Sequence, residues 1–374
     1  MIADLPRTFL YGITATSLEI PEANRTAKAI KEKYPDSKII LGGPGSYASD
    51  YIDYNFIDSI LQGEGEKIIH EILDDVKNKK LRSVYISKPI DVNNNVLPAR
   101  QLLDNQGGNI FAYNKNYEKG GSTVILSSRG CPFKCAFCSA PALTYSKKVR
   151  LREPALIRAE IQDVINKYGI KQFRFSDDMF TASKSHVLAV CDAIGDLDIV
   201  WRISCRVNPL DEEMLKAMKS AGCRELSFGI ESFDDFVLRG LNKKATALEN
   251  IRALNLAKEY GFKIRILFMI ATPFQRPETI DININAIDSV PYDIIACTQF
   301  IPIPGCDIWK NPDKYNIEIL DKNLDNYNFY MYDKKGRREI QPIIKIKDRP
   351  LDEFLKESER FRDFIEEKGK VNKG

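Results

Sequence analysis

Cys131-Pro132-Phe133-Lys134-Cys135-Ala136-Phe137-Cys138 sets three thiols at spacing C-x3-C-x2-C, directly after the apolar run Thr123-Val124-Ile125-Leu126. The run reads as a β-strand and the cysteines as the loop at its end. Thiolates are soft ligands that hold iron–sulfur clusters or zinc. Three on one loop can wrap one face of a four-iron cubane, which leaves one iron without a protein ligand and open to a substrate or cofactor. Zinc asks for a fourth ligand, and the next candidates, His186 and Cys191, lie far along the chain on a predicted helix. The remaining reading is three unrelated buried thiols.

Working outward, strands and helices alternate. Pro154 starts a helix whose apolar face is Ile157, Ile161, Val164 and Ile165, and Gly169 ends it. Asp211 caps a helix that stops at Gly222, and Thr246-Ala247-Leu248-Glu249 is a capping box for one ending at Gly261. Between them lie strands at Lys171–Phe175, Ile199–Ser204, Glu225–Ile230, Lys263–Ile270 and Asp293–Phe300. With the strand before the cysteines they make six, which predicts a partial (β/α)6 barrel. Ligands of parallel β/α barrels bind at the C-terminal strand ends. Here those ends are Ser176-Asp177-Asp178, Ser204-Cys205-Arg206, Gly229-Ile230-Glu231-Ser232 and Ile270-Ala271-Thr272-Pro273. Period two puts Arg202, Ser204 and Arg206 on one face, and Glu225, Ser227, Gly229 and Glu231 on another.

Ahead of the barrel, strands at Phe9–Thr16, Lys38–Leu41 and Ile57–Leu61 alternate with helices, as in a parallel sheet. Gly42-Gly43-Pro44-Gly45 and Gly63-Glu64-Gly65-Glu66 read as strand-to-helix turns, since the glutamates would repel a phosphate. Residues 81–120 read as a linker punctuated by Gly107-Gly108 and Gly120-Gly121, with Arg100 an ion-pair partner. The predicted division is 1–80, a Rossmann-like β/α segment; 81–120, linker; 121–310, barrel; and 311–374, an extension. The extension has a tyrosine-rich stretch (Tyr315, Tyr327, Tyr330, Tyr332), an amphipathic helix carrying Phe354, Phe361 and Ile365, and a frayed Lys370–Gly374.

The chain of 374 residues is 44% apolar, enough for two domains or one barrel with additions. Its net charge of +3 is interspersed, so no single-sign field marks a nucleic-acid partner. The eight cysteines all fall at or after position 131 and three of them share one loop, a pattern that suits a reducing cytoplasm better than a disulfide framework. No apolar run approaches the ~20 residues of a membrane span, and the N-terminus lacks the form of a signal peptide. A cytoplasmic protein with no membrane partner is the expectation.

The cysteine spacing, with Phe137 just before the last thiol, resembles the signature of the radical S-adenosylmethionine (SAM) superfamily. Phe175-x-Asp177-Asp178-x-Phe180, Arg206-Val207-Asn208, Phe228-Gly229-Ile230-Glu231-Ser232 and Met269-Ile270-x-x-Pro273 are similar to further motifs of that family. The resemblance implies a [4Fe–4S] cluster on Cys131, Cys135 and Cys138. It also implies SAM on the open iron, reductive cleavage to a 5′-deoxyadenosyl radical, hydrogen abstraction from an unidentified substrate, and an electron donor such as flavodoxin or ferredoxin. Phe137, Asp178, Ser204, Arg206 and Glu231 become candidates for holding SAM, Arg206 through the methionine carboxylate. Their alternative is an internal ion pair, such as Arg206 with Glu231.

Residues 1–80 resemble the second half of the cobalamin-binding domain found ahead of many such cores, through Gly42-Gly43-Pro44 and Gly63-Glu64-Gly65-Glu66. The opening strands and the D-x-H loop of that domain have no counterpart here, so the segment reads as truncated and tight cobalamin binding is not expected. A cobalamin-dependent methyltransferase is the alternative within the family, and a methylthiotransferase lacks cysteines for a second cluster before residue 131. Outside the family the alternative is a non-catalytic iron–sulfur or zinc protein.

Overall fold

The structure, a computed structural model, describes residues 5–94, 97–102, 121–143, 148–327, 332–333, 336–337 and 340–368. The expected Gly107-Gly108 and Gly120 punctuation, Tyr330 and the fraying of Lys370–Gly374 lie outside the described residues.

The N-terminal sheet has four parallel strands in the order β1-β2-β3-β4: β1 Leu10–Thr14, β2 Lys38–Gly42, β3 Ser59–Gln62 and β4 Val84–Ile86. Helix α1 (Ile20–Lys33) buries Ile20, Ala23, Ala27 and Ile30 in one cluster with Ile39 and Leu41 of β2. Helix α2 (Ile69–Lys77) puts Ile72 in a second cluster with Ile40 and Tyr85. Successive residues of β2 therefore face opposite helix layers, as a parallel sheet covered on both sides requires. β4 falls in the segment read as linker. At three residues it is too short to carry a periodic signal, and it exists because its backbone extends the sheet beside β3.

Six parallel strands form the second sheet: β5 (Thr123–Ile125), β8 (Gln172–Phe175), β9 (Val200–Cys205), β10 (Cys223–Glu231), β11 (Lys263–Ile270) and β12 (Ile294–Gln299). Their order, β12-β11-β10-β9-β8-β5, keeps every strand beside its predecessor in the series. This is the expected partial barrel. Among the described residues β5 and β12 do not pair, so the cylinder stays open. Two-residue strands β6 (Ser128–Arg129) and β7 (Arg150–Leu151) pair antiparallel and bracket the cysteine loop.

Helices α3 (Pro154–Tyr168), α4 (Lys184–Ile194), α5 (Glu212–Ser220), α6 (Asp235–Gly240), α7 (Ala247–Glu259) and α8 (Thr279–Ser289) connect the strands. The predicted caps are present: Asp211 accepts the Met214 N–H, and Thr246 and Glu249 form the reciprocal box. Strand β9 alternates as expected, with Trp201, Ile203 and Cys205 buried and Arg202 and Ser204 half-buried toward the barrel interior. Trp201 stacks edge-on with Phe175 at 5.0 Å under the helices. A short α9 (Asp307–Lys310) follows β12. Strands β13 (Ile317–Ile319) and β14 (Ile344–Ile346) pair antiparallel in the extension. The C-terminal helix α10 (Leu351–Glu367) buries Phe354, Phe361 and Ile365, and Phe361 lies 5.0 Å from Phe268 of β11.

The two sheets are joined by side chains. Ser17 Oγ donates to the Pro304 carbonyl at 3.3 Å, and Tyr51 meets Trp309 at 5.9 Å. Glu64, after β3, takes Arg129 of β6 at 3.0 Å and Arg150 of β7 at 2.7 Å. No helix among the described residues is long and apolar enough to cross a membrane.

Candidate functional site

The cysteine loop leaves β6 through Gly130, whose φ of +104° lies in the region glycine favours. Two carboxylates at the end of β8 hold the exit. Asp177 is buried and accepts from Ser127 N at 3.0 Å, Ser127 Oγ at 2.8 Å and Ser128 Oγ at 2.5 Å. Burial pushes its pKa up against those donors. Asp178 is exposed, and its Oδ2 accepts the Gly130 N–H at 2.9 Å. His186 Nε2 lies 3.2 Å from the Ser127 carbonyl, and burial lowers its pKa.

Farther along, the loop is clamped by backbone bonds. The Ala136 N–H donates to the Leu241 carbonyl at 2.9 Å, and the Ile308 N–H donates to the Ala136 carbonyl at 3.1 Å. Asn242 Nδ2 donates to the Lys134 carbonyl at 2.6 Å. Cys135 is buried, while Cys131 and Cys138 are half-buried. Burial raises the thiol pKa values of Cys131 and Cys138, the latter to about 11. A metal bound there would displace those protons. Among the described residues no three His, Cys, Asp or Glu side chains converge on a point that a single ion could occupy. Three free thiols spread over one clamped loop suit a polynuclear cluster, which takes its ligands at separate irons.

Arg206, 8% exposed, lies against this loop. Its Nη1 donates to Cys135 Sγ at 3.2 Å, its Nη2 lies 3.4 Å from the Lys244 carbonyl, and its guanidinium carbon sits 3.9 Å from the centre of the Phe133 ring. Its Nε is buried with no hydrogen-bond partner. Glu231 does not pair with Arg206. Its φ of +65° turns it to Lys243, whose Nζ donates at 2.8 Å. Gly229 makes room for that pair: a Cβ there would lie 2.7 Å from Glu231 Oε1 and 2.8 Å from Lys243 Nζ. Lys243 Nζ also stands 5.8 Å from the Phe137 ring. Ser204, half-buried, faces Ser227 across the β9–β10 register.

Sequence reasoning missed Lys243, Phe133 and the anchoring work of Asp177. The one available signal for Lys243 was Leu241-Asn242-Lys243-Lys244. There Asn242 and Lys244 take φ of 52° and 54°, which aim the lysine between them inward. Arg100, read as an ion-pair partner, donates to Glu160 at 2.7 Å. Beside the cysteine loop a cavity of about 200 Å³ is lined by Glu64, Arg129, Arg150, Ser128, Ser176 and Asp178, with Leu126 and Leu143. It lies where the C-terminal edges of the two sheets meet.

A loop of three cysteines at the top of an open, sequentially ordered parallel sheet defines a class, and comparison with known proteins agrees. Residues 125–283 match the radical SAM superfamily, in line with the resemblance carried by the cysteine loop. An uncharacterized methyltransferase of Pyrococcus horikoshii is 29% identical over 354 residues, covering 90% of this chain and 74% of that protein. An anaerobic magnesium-protoporphyrin IX monomethyl ester cyclase of Rubrivivax gelatinosus is 25% identical over 347 residues, covering 86% of this chain and 60% of that one. Among solved structures, TsrM from Kitasatospora setae, a radical SAM methyltransferase with cobalamin and a [4Fe–4S] cluster bound, aligns at a TM-score of 0.71 and 16% identity. The alignment covers 100% of this chain and 82% of TsrM, so the shared fold includes the N-terminal sheet. The expectation against cobalamin rested on missing opening strands and a missing D-x-H loop. The observed sheet adds only β4, after β3, and the D-x-H loop has no counterpart. A structure with cobalamin bound nevertheless shares the fold of this sheet, so the expectation is withdrawn.

Proposed function

We propose that this chain cleaves SAM reductively and transfers a methyl group to a carbon substrate, with cobalamin as its second cofactor. The observation that carries the first part is the clamped three-thiol loop beside a buried guanidinium that keeps one unpartnered N–H, Nε of Arg206. A [4Fe–4S] cluster on Cys131, Cys135 and Cys138 would supply the electron for cleaving the sulfonium. The chain's own residues bind and orient. Arg206 offers Nε to the methionine carboxylate, the Phe137 ring borders the cofactor, and Ser204, Asp178 and Glu231 present acceptors at neighbouring strand ends. Lys243 holds Glu231 in place. Asp177 and Asp178 fix the loop so that the thiols are in place before any ligand arrives.

Methyl transfer is favoured by the methyltransferase among the relatives and by the whole-chain likeness to TsrM. The sheet junction supports a second cofactor there, because ligands of open parallel sheets sit at C-terminal strand ends. Gly42, at the end of β2, has open space where a Cβ would be and would let a flat macrocycle reach the backbone. The cavity of about 200 Å³ is too small for a corrin, so that space over Gly42 would have to bear it. The test is anaerobic reconstitution. The wild type should bind about four irons on its three thiolates, and Cys135→Ala should lose the cluster and all cleavage of SAM. Cys191→Ala, a buried thiol of α4, should keep both. Cleavage by Cys135→Ala would overturn the site.

A further inference from the structure

We infer that Arg206 tunes the reduction potential of the cluster, through a hydrogen bond from Nη1 to the sulfur of Cys135. This rests on the proposed cluster on Cys131, Cys135 and Cys138.

Two cations are held at the inner side of the cysteine loop, and the structure treats them differently. Lys243 is neutralised by Glu231 at 2.8 Å. Arg206 has no carboxylate partner among the described residues, although it is only 8% exposed. An uncompensated buried charge is costly, and proteins keep one where an opposite charge completes the site. Within the loop the group nearest to an anion is the Cys135 sulfur, 3.2 Å from Nη1. A cluster on three thiolates is anionic and becomes more so when it accepts an electron. A donor aimed at one of its sulfurs therefore favours the reduced state, and hydrogen bonds to sulfur are among the levers that set cluster potentials.

The geometry fixes the donor. Phe133, from the cysteine loop itself, stacks on the guanidinium at 3.9 Å. The Lys244 carbonyl, on a residue with φ of 54°, takes the other amino group at 3.4 Å. The plane is thus set by a ring on one face and a carbonyl at one edge, with the sulfur at the other edge. Lysine would deliver the same charge without that orientation. Arg206 is in this respect a positioning residue for electrons. Its Nε remains available to the cofactor.

The test compares the reconstituted full-length wild type with Arg206→Gln, Arg206→Lys and Phe133→Leu. Potentials are read by EPR during redox titration without SAM, alongside iron content. Arg206→Gln should keep its iron and lose at least tenfold of its preference for the reduced state, about 59 mV downward for one electron. Arg206→Lys should recover part of that. Phe133→Leu, which frees the guanidinium to turn, should shift the potential in the same direction by less. An unchanged potential in Arg206→Gln at equal iron content overturns the inference and leaves the cluster assignment standing. If Arg206→Gln cannot hold iron, unchanged potentials in the other two variants overturn it equally. A wild type without a four-iron cluster, or a cluster that survives Cys135→Ala, refutes the site and this inference together.

Discussion

Glu64→Gln should loosen the N-terminal sheet from the barrel. Glu64 accepts from Arg150 Nη1 and Nη2 at 2.7 Å, Arg129 Nη1 at 3.0 Å and the Ile90 N–H at 2.6 Å. Burial alone would raise its pKa, but the bonds from Arg150, Ile90 and Arg129 outweigh it and lower the value from 4.5 to about 2. At ~1.4 kcal/mol per pH unit that drop is worth ~3 kcal/mol. The side chains involved are 15–25% exposed, and solvent screening brings the figure to ~2 kcal/mol. A carboxylate whose pKa falls on folding stabilises fully above its unfolded value, and the contribution fades as pH drops through its folded value. The variant should therefore be ~2 kcal/mol weaker at pH 7, with the gap closing from about pH 4.5 toward pH 2. Hydrogen exchange of the β1–β4 amides at neutral and acid pH reads this local opening directly. A loss below ~0.5 kcal/mol at pH 7, the ordinary scatter of surface substitutions, would refute the reasoning. So would a gap that acid leaves unchanged.

Arg206→Ala should weaken SAM binding roughly ten- to a hundred-fold, the loss of one charge-assisted contact of ~1.5–3 kcal/mol; calorimetry on iron-loaded protein checks this, and unchanged affinity would leave Nε without a ligand. Gly229→Ala should push Glu231 and Lys243 apart and cost ~1–3 kcal/mol in chemical denaturation, while a silent substitution would mean that the pair has room. Equilibrium dialysis of anaerobic protein against hydroxocobalamin should leave about one equivalent bound at micromolar concentration if the second cofactor is right. Protein that emerges colourless removes methyl transfer through cobalamin.

The barrel was legible because each β/α unit carries its own punctuation. Gly169, Gly222 and Gly261 end helices that Pro154, Asp211 and Thr246 begin or cap, so the strands between were bounded on both sides. The cysteine loop was legible because its three thiols are neighbours in sequence. What needed the structure lies between distant residues. Glu64 read correctly as part of a turn, but its partners stand 65 and 86 residues away. Period two sent Glu231 into the barrel beside Arg206, and a left-handed backbone at Glu231 gave it to Lys243 instead. β4 is three residues whose only reason to be extended is the strand next to it.

Among the described residues β5 and β12 do not pair, which leaves a lengthwise seam in the cylinder, and the seam is stitched at its upper end. Ile308, just past β12, donates to the carbonyl of Ala136, which lies between Cys135 and Cys138. Anything wide enough to spread the seam would pull on that stitch, and the pull would arrive in the middle of the cysteine loop. Opening the wall and displacing the thiols are in that sense coupled, so the size of a guest entering by that route would be felt at the three cysteines.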